Sequence, residues 1–548
     1  MSPARTPDRL TGRELAWVAG ACLVAVLHAT RVFQAAISDD AYILYRYARH
    51  LAAGFGFVWN LGEAPVEGFT SFLDVVALAG ARILGCDLVQ AGQVLGVAFA
   101  GLSCVAAACL GREVGLGDSR AGIASAWIVA LAPAQAAWAR GGLETTLFTF
   151  LAAAAMAVWM WERRTASGRR WSSALFVLAV LARPEALALA ALAVLLDFAE
   201  RRSAALAWWP LCTALAILAV WKLAYFGDVL PNTYHAKSGG GLVALKAGAS
   251  YVARFLRGYG WINLLLIAAP LVLVRSTVNA RTLYLLLCAG MLALTAAKVG
   301  GDYQYFGRYL VPTVPPLAAL TSCGALALWD ATGAIRRPVR IAVAAGVCVG
   351  GALQLLLPSL RELHDRPWLL TRPWRLVEDT DPALFRPDFE LMGKALARIA
   401  GPKETVAAIA VGAIGYYSDR PILDCLGLND REIARLPVSL AGRTVWRSGH
   451  MKGSARVVLA RRPAIIALPM RPTAEPCRGP AASDVAVYPW VGELLGAPSF
   501  RNGYQQRSDP LPDGRWMNYY VRDPAHPRMS GTRVCASSSF ILGDVDAL

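Results

Sequence analysis

Two carboxylates stand side by side just after the first apolar stretch, in Ser38-Asp39-Asp40-Ala41-Tyr42-Ile43-Leu44-Tyr45-Arg46-Tyr47-Ala48-Arg49. Ionised groups at the end of an apolar helix are costly unless they act or are paired. A carboxylate at a water–lipid boundary can take the proton of a sugar hydroxyl as a general base. Asp40 and Asp39 are the candidates for that role, Asp40 first. If the chain is helical here, Asp39, Tyr42, Arg46 and Arg49 recur along one face. The plainer reading of the pair is an interfacial cap neutralised by Arg46.

The loop that follows alternates glycine with aromatics in Gly54-Phe55-Gly56-Phe57-Val58-Trp59-Asn60-Leu61-Gly62-Glu63, then Val66-Glu67-Gly68-Phe69-Thr70. Trp59, Asn60 and Glu67 offer the aromatic face, amide and carboxylate that a sugar site needs, although an aromatic belt at a membrane surface has similar composition. Three more segments carry polar clusters. They are Arg140-Gly141-Gly142-Leu143-Glu144-Thr145, a run from Tyr225 to Lys237 that includes Asp228, Asn232, Tyr234 and His235, and a run from Lys298 to Tyr309 that includes Asp302 and Arg308. Cations beside glycine backbone can hold a phosphate through charge-assisted hydrogen bonds, which makes Lys237, Arg308 and Arg183 the phosphate candidates. Tyr42, Arg46, Trp59, Asn60, Glu67, Glu144, Asn232, Tyr234, His235 and Asp302 are the candidates for substrate contacts.

The elements that must position these groups are membrane spans. Hydrophobic residues make up 56% of the 548-residue chain and charged residues 17%, with mean hydropathy +0.44. That composition excludes a soluble globular chain, a disulfide scaffold, a disordered chain and a coiled coil. The net charge of +16 serves membrane topology before it suggests nucleic acid. Apolar runs suited to crossing a bilayer fall at about 15–36, 88–110, 121–139, 143–161, 171–182, 185–199, 203–222, 260–275, 281–297, 311–330 and 340–357. The fifth and sixth meet at Ala182-Arg183-Pro184-Glu185 and read as a broken pair, so the expected number is about eleven, within 9–13.

Arginines cluster in alternate loops: Arg5, Arg9 and Arg13; Arg112 and Arg120; Arg163, Arg164, Arg169 and Arg170; Arg201 and Arg202; Arg275 and Arg281; Arg336, Arg337 and Arg340. Basic short loops stay in the cytoplasm, which places 37–87, 223–259, 298–310 and everything after 358 outside. The run 70–85 carries Asp74 and Arg82 and reads as an interfacial helix rather than a span. Ala35-Ala36 resembles a cleavage site, but an uncleaved first span is expected.

The expected domains are 1–357, a membrane catalytic part with its first outer loop at 37–87, and 358–548, a soluble outer domain. In the tail, 405–410, 421–424 and 464–468 read as strands and 411–418 as a helix, the pattern of a small α/β domain. A passive cap over the membrane part is the alternative. Of eleven cysteines, Cys425, Cys477 and Cys535 lie in the tail. Cys477–Cys535 is one pairing that spacing leaves open. No CxxC, HExxH, GxSxG or P-loop occurs, so the usual zinc, serine-hydrolase and nucleotide signatures are missing.

Strung in order along the chain, Asp39-Asp40-Ala41-Tyr42, the loop 54–67, Gly142-Leu143-Glu144-Thr145, the segments 227–237 and 300–308, and the tail's 411–418 with Leu426-Gly427-Leu428-Asn429-Asp430 resemble a GT-C glycosyltransferase family. Within that family it resembles the arabinofuranosyltransferases that add β-1,2-linked residues to bacterial cell-wall arabinan. The resemblance implies a polytopic α-helical membrane protein of GT-C type with a C-terminal α/β extracytoplasmic domain, in the bacterial cytoplasmic (inner) membrane. It implies an inverting transfer of a pentose or hexose, arabinofuranose first, from a polyprenyl-phosphate donor to an extracytoplasmic glycan. Asp39 or Asp40 would be the base, and Lys237, Arg308 or Arg183 would hold the leaving phosphate. No cofactor is required by that scheme; a divalent cation on Asp39, Asp40 and water is compatible with oxygen ligands. Membrane lipids are the other expected partners, and nucleic acid is not one. Two further classes stand beside it, a transporter or flippase of a lipid-linked glycan and a non-enzymatic envelope scaffold. No repeat between the two halves supports transport.

Overall fold

Local side chains set where several helices begin. Thr11 Oγ1 accepts the Glu14 N–H at 3.4 Å while Glu14 reaches back to the Thr11 N–H at 2.7 Å, a capping box that starts helix Gly12–Leu27. Asp87 caps Leu88–Val114 by accepting the Gln90 N–H at 3.0 Å, and Asn279 starts Ala280–Lys298 with a second capping box. The computed structural model describes residues 11–33, 37–165, 171–200, 208–274, 277–302, 305–365, 388–438, 446–526 and 528–535. Arg5, Arg9, Ala35, Ala36, Arg169, Arg170, Arg201, Arg202 and Arg275 lie outside the described residues.

Among the described residues seven helices are long and apolar enough to cross a membrane: Gly12–Val32, Leu88–Val114, Thr145–Thr165, Trp209–Phe226, Ala280–Lys298, Phe306–Ala331 and Arg337–Asp365. Two bent pairs bring the number to nine if each is one span, Ser119–Leu131 with Pro133–Ala139 at 59° and Gly241–Tyr259 with Trp261–Leu273 at 93°. These nine coincide with nine of the eleven apolar runs. The other two are the short helices Trp171–Ala182 and Ala186–Glu200, 12 and 15 residues long, which break at Arg183-Pro184-Glu185. A proline cannot donate to the preceding turn, and a helix of 12 residues rises only about 18 Å. The run at 70–85 forms helix Phe72–Ile83, with Leu78 and Ala79 buried and Ile83 exposed.

The first span is tied to the last. The buried His28 ring bonds Ser359 Oγ through Nε2 at 2.8 Å and the Ala130 carbonyl through Nδ1 at 3.0 Å. Ionic contacts collect at the end of the bundle away from the tail. Arg164 meets Glu113 at 2.9 Å, Arg163 pairs with Asp197 and Glu200, and the indoles of Trp159 and Trp208 donate to Asp197 at 3.2 and 3.0 Å.

The tail carries a six-stranded sheet in the order β2-β1-β3-β5-β4-β6. Its strands are β1 Val406–Ala408, β2 Ile422–Asp424, β3 Ile465–Ile466, β4 Gln505–Pro510, β5 Trp516–Val521 and β6 Arg533–Val534. β1 pairs parallel with β2 and β3, and the remaining pairings are antiparallel. β1, β2 and β3 and helix Gly412–Ser418 fall within the segments expected from sequence. The β4–β5 hairpin does not. A disulfide joins Cys477 to Cys535 with Cα atoms 5.4 Å apart, tying the segment before helix Ala482–Val487 to the end of β6.

Candidate active site

Asp39 and Asp40 open helix Asp39–Ala52, where Ser38 is the N-cap residue. Carboxylates are favoured in a first turn by the helix dipole. Consecutive residues diverge by about 100° around a helix, and the two side chains accordingly meet different partners.

Asp39 faces the tail. Its carboxylate accepts the backbone N–H groups of Gly412 and Ala413 at 3.1 and 2.8 Å. Burial pushes its pKa up to about 6 against the pull of those N–H groups. The rest of its helical face follows. Tyr42 packs on Tyr416 and Tyr417 with ring centroids 5.7 and 5.5 Å away. Arg46 is buried and donates to the carbonyls of Trp59 and Arg420 at 2.9 and 2.8 Å, to that of Gly415, and to Asn60 Oδ1 at 3.1 Å. Arg49 reaches Tyr416 O at 3.0 Å and Asp419 at 2.8 Å. The Trp59 indole donates to Ile422 O at 3.1 Å, and Asn60 Oδ1 accepts the Ile422 N–H at 2.9 Å. Gly412 lies so close that a β-carbon there would stand 1.8 Å from the Asp39 carbonyl oxygen. The periodic face is real, but its partner is the tail. Tyr42, Arg46, Trp59 and Asn60 are therefore corrected from substrate contacts to a docking seam.

Two more candidates are corrected in the same way. Glu67 is buried and ion-paired to Lys222 at 3.0 Å; burial pushes its pKa up to about 7 against that pairing. The Asn232 amide donates to the carbonyls of Gly427 and Leu428 at 2.8 and 2.9 Å, anchoring the tail on helix Asn232–Lys237. His235 bonds Asp228 at 3.0 Å at the surface, and Tyr234 is 44% exposed. Neither is brought to the Asp40 site.

Asp40 faces inward to a cationic cleft and keeps 32% of its side chain exposed. Arg308 lies 3.1 Å from its carboxylate and 2.8 Å from Asp302. Burial would raise the Asp40 pKa, but Arg308 and Lys237 outweigh it and hold the carboxyl below its usual range. The three phosphate candidates converge on one residue, Tyr309. Its hydroxyl is 3.2 Å from Lys237 Nζ and 3.2 Å from the Arg308 guanidinium, and the Arg183 guanidinium stands 5.3 Å from its ring centre. Arg308 also lies over the Trp138 ring at 5.5 Å. Glu144 and Asp302 belong to the cleft as partners of cations: Arg183 pairs with Glu144 at 2.5 Å and Glu185 at 2.6 Å. Lys237 differs from the two arginines, since among the described residues no carboxylate lies within ion-pairing distance of it. Burial would lower its pKa; Tyr309 and Asp40 reverse the sign and keep it charged. It is the cation most open to an anionic ligand.

The two carboxylates do not combine into a cation site. Asp39 is held by backbone N–H groups and Asp40 by Arg308, and among the described residues no group of three or more His, Cys, Asp or Glu is arranged around a metal position.

An apolar cavity of about 520 Å³ adjoins the cleft. Pro133, Phe255, Phe306 and Leu355 supply apolar wall, and Asp302 and Arg254 are its charged lining residues. Through Asp302 the cavity reaches the ion pair with Arg308. The break at Ala132 in one bent pair and the amphipathic helix Gly241–Tyr259 of the other create this space.

The overall architecture has solved counterparts. Aligned over 94% of this chain and 99% of its own length, ArnT from Cupriavidus metallidurans in the apo state superposes with a TM-score of 0.53 at 14% identity. The archaeal oligosaccharyltransferase AglB from Archaeoglobus fulgidus, solved with an inhibitory peptide and a dolichol-phosphate, superposes with a TM-score of 0.51 at 13% identity over 95% of this chain and 75% of that one. The fold is the GT-C fold. The chain is accordingly a multi-pass helical membrane protein. Residues 383–520 match a domain of unknown function (DUF8728). No curated protein matches in sequence.

Sequence reasoning named Asp40, Lys237, Arg308 and Arg183 but not Tyr309, Glu185, Trp138 or the tail residue His450. Glu185 beside Arg183 and Tyr309 beside Arg308 were visible as neighbours of cations. His450 had no such signal, because only the docking of the tail brings it near Asp40 and Lys237.

Proposed function

We propose that the protein is an inverting glycosyltransferase that moves a sugar from a polyprenyl-phosphate donor to a hydroxyl of a glycan acceptor. The observation that carries this reading is the convergence of Lys237, Arg308 and Arg183 on Tyr309, beside an ionised Asp40 and an apolar cavity. Asp40 takes the proton of the acceptor hydroxyl. The hydroxyl oxygen forms the new bond to the anomeric carbon from the face opposite the phosphate, and the bond to the phosphate oxygen breaks with its electron pair leaving on the phosphate. Lys237 and Arg308 meet that growing negative charge, as preorganised cations do, and Arg183 supports them over the Tyr309 ring. A lipid phosphate leaves without protonation, so a second carboxylic acid is not needed. The cavity suits the first part of the lipid chain, and AglB, with the same fold, was solved with a dolichol-phosphate.

Arabinofuranose is the sugar the sequence resemblance favours, and an extracytoplasmic glycan the acceptor. The alternation of basic loops supports a position of Asp40, the cleft and the tail outside the cytoplasmic membrane. The test is transfer by purified protein in detergent from polyprenyl-phospho-arabinofuranose, -mannose and -glucose, with and without EDTA. Asp40→Asn is expected to lose transfer by about 10²–10⁴-fold, while Asp39→Asn keeps most of it at neutral pH. A fully active Asp40→Asn protein removes the base assignment; no turnover of any donor by folded wild-type protein removes the enzyme reading.

A further inference from the structure

The tail reaches the cleft through a strap at 446–452, which is fastened at both ends. At one end the Trp446 indole donates to Val299 O at 2.9 Å. It lies over Gly300, whose φ is +86° and where a β-carbon would stand 2.1 Å from the ring. A side chain at Gly300 would therefore push the strap away. At the other end Lys452 Nζ donates to His235 O at 2.9 Å and Ala434 O at 2.6 Å. Between these anchors the backbone at Gly449 passes Lys237, with a β-carbon position 3.6 Å from its Cε. The Ser448 hydroxyl is buried beside it without a hydrogen-bond partner among the described residues. His450 comes next, its Nδ1 bonded to Tyr488 Oη at 3.0 Å, which fixes the ring on the tail's own framework.

We propose that this strap is a wall of the reaction centre and that His450 is its positioning residue, acting on Asp40 and Lys237 rather than on the sugar. The inference rests on the glycosyl-transfer reading above. Several groups bear on the ring. Asp40 from helix Asp39–Ala52 and Asp302 from the cleft favour its protonation; Lys237 from helix Asn232–Lys237 and Arg447 on the strap oppose it. Burial is the largest influence and depresses its pKa below the usual histidine range, so the ring is neutral at pH 7. In that state the cleft keeps Asp40 as the acceptor-side base without a further cation competing for its lone pairs. A proton added to His450 in acid would place a new positive charge beside Asp40 and draw its carboxylate away from the acceptor hydroxyl. The tail thereby makes transfer conditional on its own docking.

Two measurements test this on the full-length protein. The first is the pH profile of transfer for wild type, His450→Gln and Tyr488→Phe. Glutamine keeps a hydrogen-bonding group for Tyr488 but does not titrate. His450→Gln is neutral like the native ring at pH 7 and is expected to keep the plateau kcat within about twofold while moving the acid limb down by about half a pH unit or more; Tyr488→Phe is expected to move the limb by less. A merely structural role would lower yield or Tm and leave the limb where it is. The second measurement does not depend on turnover. The chain has six histidines, so ¹³C-histidine labelling, with the His450 signal identified by its absence in His450→Gln, follows that ring alone. Asp40→Asn removes a carboxylate that favours protonation and is expected to lower the His450 midpoint. Wild-type transfer together with a superimposable His450→Gln profile, or a His450 midpoint that ignores Asp40→Asn, overturns the proposal and leaves the enzyme reading standing. Wild-type protein that turns over no donor removes that reading, and the positioning role with it.

Discussion

The docking seam under helix Gly412–Ser418 and the cleft around Tyr309 start at adjacent residues, yet their charges are satisfied in opposite ways. In the seam, Asp39 and Arg46 meet backbone N–H and C=O groups almost throughout. In the cleft, Asp40, Arg308, Asp302, Arg183, Glu144 and Glu185 meet one another, while Lys237 meets only a phenol and a field. A backbone partner cannot leave without breaking the fold. A carboxylate partner can be replaced by a phosphate of the same sign at little cost. Polar density alone therefore does not mark a site; what marks it is polar density whose partners are exchangeable.

The widest gap between the two regions is expected from their cations. Lys237→Met leaves no ion-paired carboxylate behind among the described residues and should cut transfer by about 10²–10³-fold with a small change in Tm, measured by transfer kinetics and thermal unfolding in detergent. Arg46→Ala should do the reverse, leaving several buried carbonyls unpaired at about 1–3 kcal/mol each. If the two variants behave alike in both assays, the distinction fails. Gly412→Val forces a side chain into the space where a β-carbon would sit 1.8 Å from the Asp39 carbonyl. It should destabilise docking by about 3 kcal/mol, read as faster proteolysis of the tail while the membrane part persists.

A smaller effect sharpens the difference between the neighbouring acids. Asp39 has a folded pKa of about 6, above its ordinary 3.8, so its contribution is fully present below about pH 4 and is lost as pH rises through 6. Asp39→Asn cannot titrate and should gain on wild type between pH 4 and 7 by about 1–2 kcal/mol, followed as Tm against pH. A difference in Tm that stays constant over that range would mean the carboxylate is not buried in the seam. The smallest change is expected at Tyr234, which is 44% exposed. Tyr234→Ala should alter transfer less than about twofold, since surface substitutions of this kind stay within about 0.5 kcal/mol.

Much of this was legible in the sequence because membranes impose simple rules. Apolar runs located the seven long apolar helices and the two bent pairs, and the cations of three separate segments come together in the fold, though nothing in their spacing said that they meet at Tyr309. The recurrence of Asp39, Tyr42, Arg46 and Arg49 defined a helical face but not its partner. Periodicity reports that a face is covered and is silent on whether a ligand or another part of the chain covers it. Trp59 and Asn60 misled for the same reason: an indole N–H and an amide suit a sugar and suit the carbonyl of Ile422 equally well. The β4–β5 hairpin was missed because its strands, Gln505–Pro510 and Trp516–Val521, are buried on both faces and Gln506, Arg507, Ser508 and Asp509 break the expected alternation.

The hydrogen bond from His28 to Ser359 spans 331 positions of sequence. A chain is made from its N-terminus, so the first span enters the membrane carrying an imidazole whose hydroxyl partner is still unmade. Closure of the bundle is thereby assigned to the last span, and assembly has a finishing step that shorter products cannot perform. A chain ending before 359 would hold every span up to Phe306–Ala331 and still present His28 without that partner. A chain lacking the last span altogether would also leave open the Asn263 amide and the Ile262 N–H, which bond Gly351 O at 3.1 Å and Gln354 Oε1 at 2.9 Å in the complete bundle.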